Sequence, residues 1–343
     1  MRFTSIRCVF CLQVLIVSMV MGLTGCTKEY ASMKVKSPLE IPMGFPEVFF
    51  PTDNEFSRER WELGKMLFFD PVLSRDSSIS CASCHKPEFA FADNRSTSPG
   101  IENRSGKRNS PSLANVGYFP YLLREGGVPT LEMQVLVPID EHNEFDFNIV
   151  DLSVKLAHNA KYAQLAKEAY NREIDPFVIT RAIATFERSL ISGTSPYDKF
   201  VNGDQNVLNR EENSGRMLFF SERTKCTSCH GGMLFTDHSF QNNGLYLNYT
   251  DSGRLRLTGE GQDRALFKVP SLRNVGLTAP YMHDGKMESL IAVVNHYNRG
   301  GYDHVNKSEL VQPLGLSFEE KKALVAFLKT LSDFEFINDK RWD

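Results

Sequence analysis

The chain has no excess of either charge. Its 39 Lys and Arg stand against 42 Asp and Glu, for a formal net charge of −3, so it lacks the basic field that draws a protein onto nucleic acid. Beyond the N-terminus no run approaches the ~20 apolar residues that cross a bilayer. Nor is there a succession of alternating apolar and polar residues that would announce a sheet. Tryptophan is scarce, with two among 343 residues. Cysteine is scarce as well, at seven, too few for a disulfide scaffold in a chain of this length.

What cysteine there is falls in a pattern. CASCH at 81–85 and CTSCH at 226–230 repeat one five-residue frame. CxxCH is the attachment signature of c-type haem, because two thiols three residues apart reach both vinyl groups of a porphyrin while the next side chain meets the iron. Cys81 and Cys84 are therefore expected to carry one haem and Cys226 and Cys229 a second, with His85 and His230 as proximal iron ligands. A zinc held by both cysteine pairs competes, but it gives no reason for a histidine after each second cysteine. A redox dithiol would sit beside a βαβ pattern, and none is visible.

The N-terminus carries Arg2 and Arg7, then an apolar core through Val14 to Met21, and ends in Leu23-Thr24-Gly25-Cys26. This reads as a signal peptide over 1–25. The LTGC ending fits a lipoprotein in which Cys26 becomes the acylated first residue, an ordinary signal peptide being the alternative. The expected location is periplasmic, lipid-anchored to a bacterial membrane, with 26–50 as a tether.

The chain also repeats itself. GKMLFF (64–69) returns as GRMLFF (215–220), and PSLANVG (111–117) as PSLRNVG (270–276), so two copies of one haem module are expected, over 51–205 and 206–343. Helical periodicity places Phe177, Ile179, Ile183, Phe186 and Leu190 on one stripe, and Leu324, Phe327, Leu328 and Leu331 on another. The fold class expected is mainly α, with long loops.

LGKMLFFDPVLSRDSSISCASCHKPEFAFAD, GKRNSPSL, TLEMQ, KCTSCHGG and VPSLRNVGLTAPYMHDG, in that order from Pro51 to about Leu331, resemble the bacterial di-haem cytochrome c peroxidase and MauG-like superfamily. The resemblance implies two cytochrome c-like domains with two covalently bound haem c. The first, N-terminal domain would be peroxidatic and the second would transfer electrons. It implies two-electron reduction of hydrogen peroxide with electrons from a small cytochrome c or cupredoxin, or peroxide-driven oxidation of a protein or small organic molecule. Many relatives form homodimers. A di-haem electron carrier is the non-enzymatic alternative.

Aligning the two PSLxNVG copies pairs Leu131 with Leu290 and sets Tyr297 opposite Pro138. Proline cannot ligate iron and tyrosine can, so the first iron is expected to keep an open face and the second to be held by His230 and Tyr297. His296 and Met287 are the other candidates. In the resemblance, methionine marks the peroxidase branch at this position and tyrosine the MauG-like branch. By motif and spacing Glu144 and Gln134 match the family's distal pair, Glu144 as acid/base and Gln134 as hydrogen-bonding partner. Without the family, Glu144 in DEHNEFD reads as a carboxylate of a solvated loop, and His142 as a surface histidine. Arg108 suits a haem propionate or a surface ion pair. Asn109, Thr278 and Pro280 map onto the family's interdomain calcium site. His283 resembles a family histidine near the haem edge, or is a buried structural residue. One departure stands out: the family's relay tryptophan, ten residues before the distal glutamine, is here Arg124, leaving Tyr118, Phe119, Tyr121 or direct transfer between haems.

Overall fold

The repeated GxMLFF motif has a packing reason. A Cβ on Gly64 would lie 1.9 Å from the Ala182 carbonyl oxygen, and one on Gly215 would lie 1.8 Å from that of Ala323. Each glycine lets two helices touch backbone to backbone, an approach any side chain would block. In the computed structural model, which describes residues 37–343, these helices are α1 (Arg58–Phe69) with α7 (Pro176–Arg188), and α9 (Arg210–Phe219) with α12 (Phe318–Lys329). Between them run α2 (Cys81–Cys84), α3 (Leu131–Gln134), α4 (Leu136–Asp140), α5 (Ile149–Ala157), α6 (Ala160–Tyr170), α8 (Pro196–Val201), α10 (Leu255–Thr258) and α11 (Leu290–Arg299), with α13 (Phe334–Ile337) near the end. The one sheet among the described residues is an antiparallel pair, β1 (Phe240–Gln241) on β2 (Phe267–Lys268). The expectation of a mainly α chain with long loops holds.

Each helix pair starts where its caps dictate. Asp175 accepts from the Val178 N–H ahead of α7, which has Pro176 at its first position. Asn209 with Glu212, and Ser317 with Glu320, close capping boxes on α9 and α12, satisfying orphan N–H groups at each start. Phe68 meets Phe186 at 4.9 Å in the first core and Phe219 meets Phe327 at 5.1 Å in the second. The PSLxNVG repeat finds its role here too. Asn115 and Asn274 both hold positive φ, 64° and 61°, and send their N–H to the carbonyls of Leu190 and Leu331 at the ends of α7 and α12. Asparagine tolerates that backbone, and its amide then ties the helix exit: Asn115 to Ser192 on both sides, Asn274 to the Asp333 N–H.

The structure corrects two boundaries. Residues 37–50, expected as part of a tether, lie packed on the globule: Arg341 donates to the Pro38 carbonyl at 2.6 Å, Tyr118 to that of Pro46 at 2.9 Å, and Val48 is buried. Phe45 meets Tyr118 edge-on at 5.9 Å and Phe50 meets Phe56 at 5.6 Å, contacts that a tether would not offer. The C-terminus, assigned to the second module, returns to the first, where Trp342 meets Phe91 edge-on at 5.3 Å and Phe336 joins the same cluster. Residues 37–343 form one compact unit. The expected signal peptide, Cys26 and the rest of the tether lie outside the described residues. No described helix is long and apolar enough to cross a membrane.

Candidate active site

Both CxxCH histidines are aimed by the same local turn. His85 Nδ1 donates to the Phe91 carbonyl at 2.9 Å, and His230 Nδ1 to the Phe235 carbonyl at 3.1 Å. Phe91 and Phe235 both hold positive φ. Fixing Nδ1 leaves Nε2 of each ring free for a metal. Burial lowers both imidazole pKa values, against the raising effect of the carbonyls of Phe91 and Pro111 in one case and Phe235 and Pro270 in the other. A neutral ring is the ligating form.

All four cysteines have free thiols and line, with the two histidines, a single cavity of about 1270 Å³. That exceeds the ~300–1,000 Å³ of one small-ligand pocket. Leu73, Ile79 and Ile183 wall it in the first module and Val294, Leu324 and Leu328 in the second. Paired thiols, an aimed imidazole and apolar walls, twice over, fit two haem groups. No described group of three or more His, Cys, Asp or Glu converges, so a zinc shared by the cysteine pairs gains no geometric support.

The two modules differ in one repeated stretch that lines the cavity. In the second, α11 is a single helix carrying Tyr297. In the first, the corresponding stretch breaks into α3 and α4, with Pro138 in α4. A proline cannot bond to the carbonyl four residues earlier and its ring collides with it; that carbonyl belongs to Gln134, where α3 stops. Gln134 and Pro138 both line the cavity. Past α4 the chain folds back, the Phe145 N–H bonding to the Pro138 carbonyl and the Ile101 N–H to that of Glu144. Only glycine fits at 100, where a Cβ would lie 1.9 Å from the Asn143 carbonyl oxygen.

This fold-back sorts the acidic stretch DEHNEFD. Asp146 faces outward to Arg75 (2.6 Å) and Arg104 (2.7 Å), and His142 is an exposed partner of Asp146. Glu144 lines the cavity instead. Its side chain keeps accessible surface within that space, yet the surrounding protein raises its carboxyl pKa to about 7, with the charge of Glu141 adding to the effect.

Tyr297 also lines the cavity, and its hydroxyl accepts from Asn243 Nδ2 at 3.4 Å. Burial raises its phenol pKa, against the Asn243 hydrogen bond. The competing candidates are elsewhere. His296 Nε2 is bonded to the Asn243 carbonyl at 2.9 Å, and neither His296 nor Met287 lines the cavity. Met282 does, with its sulfur 3.4 Å from the same Asn243 amide. The sequence reading passed over Met282, although it lies within the PYMHDG motif beside His283.

The modules are joined by a charged bridge. Arg108, expected at a propionate, has its guanidinium taken up by Asp251 (2.7 and 2.9 Å) and Glu125. A propionate there would compete with two protein carboxylates. Burial alone would raise the Asp251 carboxyl, but Arg108 and the Gly253 N–H outweigh it and hold the pKa at about 2. His283 stacks on Phe267 at 4.2 Å, its carbonyl accepts the Asn109 N–H at 2.9 Å, and burial lowers its pKa to about 4. Arg124 donates to the Asn109 carbonyl at 2.7 Å and to its Oδ1 at 3.1 Å, while the Arg124 carbonyl receives the Lys268 N–H at 2.6 Å. Trp61 and Trp342 both belong to the first core. Of the three alternative relay residues, Phe119 lines the cavity, Tyr121 stacks on Phe240 at 5.3 Å, and Tyr118 turns away to Pro46.

Calcium does not fit at Asn109, although Thr278 and Pro280 line the same cavity. The Asn109 side-chain oxygen already accepts from the partly buried Arg124 guanidinium. A divalent ion on that oxygen would stand about 5 Å from the Arg124 charge, a repulsion of about 7 kcal/mol at an effective dielectric constant of 20. Elemental analysis of the purified protein should therefore find no stoichiometric calcium, and a chelator should leave its thermal midpoint unchanged. A chelator-induced fall in that midpoint would restore the metal.

Comparison with known proteins accords with this geometry. Residues 58–206 match the family described as di-haem cytochrome c peroxidase. The chain is 35% identical over 305 residues to the methylamine utilization protein MauG of Methylorubrum extorquens, covering 88% of this chain and 86% of that protein. This chain belongs to the di-haem cytochrome c peroxidase family. It is also 35% identical to the cytochrome c551 peroxidase of Nitrosomonas europaea, covering 79% of each. Among solved structures, a MauG-like protein associated with microbial copper homeostasis superposes with a TM-score of 0.85 at 32% identity, covering 89% of this chain and 98% of that one. Membership brings haem c as the family's cofactor, for which this chain offers two thiol pairs and two aimed histidines.

Proposed function

We propose that this chain reduces hydrogen peroxide to water in its first module, with electrons admitted through the second from a small periplasmic cytochrome c or cupredoxin. Family membership makes it an oxidoreductase acting on peroxide. The observation that carries the finer reading is the asymmetry between modules: Pro138, Gln134 and Glu144 line the first site where Tyr297 lines the second. A proline leaves a metal face open and a tyrosine can close one.

Haem at His85 would supply the open iron position at which the O–O bond is activated. The chain's own residues do the rest. The Gln134 amide holds the peroxide by hydrogen bonding. Glu144 takes a proton from one peroxide oxygen and returns it to the other as the O–O bond breaks, the work of a general base and then acid with a pKa near the operating pH. Two electrons and two protons convert each peroxide to two waters. At the second site His230 and Tyr297 are the residues that would hold an iron, the tyrosine as an anionic donor that would disfavour reduction.

Tyr297 also favours a second reading, in which peroxide drives oxidation of a protein side chain or small organic molecule, since two of the relatives are named MauG. Export and a lipid anchor at Cys26 are part of the proposal and rest on the N-terminal sequence. The test is carbon monoxide binding to the reduced holoprotein together with peroxide turnover on reduced cytochrome c. One haem in two should bind carbon monoxide, and turnover should follow. Binding to neither haem would reject the open site, and binding to one without turnover would favour the second reading.

A further inference from the structure

Glu187, near the end of α7, is a buried carboxylate that the proposed reaction leaves unused. It is 4% exposed, lines the cavity, and its Oε2 has no hydrogen-bond partner. The adjacent Arg188 does not neutralise it, because both terminal nitrogens of Arg188 go to Glu132, at 2.6 and 2.9 Å. Glu187 and Cys81 line the same cavity, and after burial the charge of Glu187 is the next cause that raises the Cys81 thiol pKa.

The internal repeat shows that packing does not require this carboxylate. Ala182 and Phe186 meet Gly64 as Ala323 and Phe327 meet Gly215, so Glu187 corresponds to Leu328. Leu328 lines the cavity in the second module. Where the fold asks for an apolar side chain against the haem space, the first module has a carboxyl.

We propose that Glu187 is the proton-holding group of the first module, taking up one proton when the haem attached at Cys81 and Cys84 gains an electron and releasing it when the electron leaves. This rests on the reading of that site as a haem site. The electron comes from the donor protein, the proton comes from solvent, and iron is the atom reduced. A ferric centre carries one more positive charge than a ferrous one and lowers the proton affinity of a nearby carboxyl; reduction removes that pull. Burial already raises the Glu187 carboxyl to about 8, with Arg188 opposing and Glu132 adding to the rise. The charged and titratable groups around it are Arg188 on its own helix, Glu132 from α3, Cys81 from α2, and Glu144, whose charge Cys81 also feels. The α1 residues seen against α7 are uncharged, with Trp61, Phe68 and Phe69 on Phe186 and Gly64 on Ala182, and α5 buries Leu152, Ser153 and Leu156.

The test is spectroelectrochemical titration of each haem in the holoprotein at several pH values, with Glu187→Gln and Glu187→Leu beside the parent. The leucine variant installs the residue that the second module already uses. In the parent, the first haem's reduction equilibrium should shift toward the oxidised form as pH rises, by up to about tenfold per pH unit between the Glu187 pKa values of the oxidised and reduced protein. Both variants should flatten that slope and leave the second haem unchanged. A full haem complement with the parent slope retained in both variants overturns the proposal alone. Absence of thioether-linked haem at Cys81 and Cys84 overturns the site reading, and this proposal with it.

Discussion

Glu144→Gln should lower kcat/KM for peroxide by a factor of ~10²–10⁴, the usual worth of a positioned acid/base, while the haem spectra stay those of the parent. Glutamine keeps the shape and a hydrogen-bonding oxygen but cannot accept the proton. The pH dependence separates this from a packing effect. With a carboxyl pKa of about 7, the group is mostly protonated below that value, so the parent's kcat/KM should rise with pH through about 7 and then level. The glutamine variant should lack that limb. Stability runs the other way. A carboxyl whose folded pKa is raised loses stability as pH rises, from its ordinary value near ~4.3 up to the folded value, because only the unfolded chain ionises freely in that range. The variant should therefore unfold no more easily than the parent at neutral pH. A variant that destroys peroxide at the parent rate removes Glu144 from the mechanism.

Asp198→Asn should destabilise the protein by ~3–5 kcal/mol, read from denaturant midpoints, because it strands a buried arginine. Arg273 bonds both Asp198 oxygens, at 2.9 and 3.0 Å, and the two side chains are 4% and 6% exposed. Asp198 also closes the capping box with Ser195 at the start of α8. Arg273 lies within PSLRNVG, at the position where PSLANVG has Ala114, so the first module manages without the pair. Replacing both residues by alanine should recover part of the loss, since no orphan charge remains. A single substitution costing less than ~1 kcal/mol would mean that water reaches the guanidinium and that the pair is not a buried one.

The haem attachment frames were legible because their chemistry is local: two thiols and an imidazole within five residues need no knowledge of the rest of the chain. The internal repeat was legible for a related reason, since Gly64 and Gly215, and Asn115 and Asn274, each answer a backbone demand that only one or two residue types meet. The helical stripes of α7 and α12 followed from period alone. Glu144 was different. The residues around it are acidic and polar, and periodicity could only call the stretch a solvated loop; the family motif was needed to single it out, and the Pro138 break and the Gly100 contact supplied the physical cause.

Unaided, the amino-acid order determined two CxxCH frames, a duplicated helical motif, and an aromatic against a proline at one repeated position, because each is written in neighbouring or regularly spaced residues. Tertiary structure alone decided that Arg124 donates to Asn109, that the chain's last residues pack in the first core, that Met287 and His296 stay off the cavity, and that Glu187 Oε2 has no hydrogen-bond partner. All four depend on which distant segments share a low-dielectric interior, and burial, which sets the cost of an unpaired charge there, is a property of the folded whole.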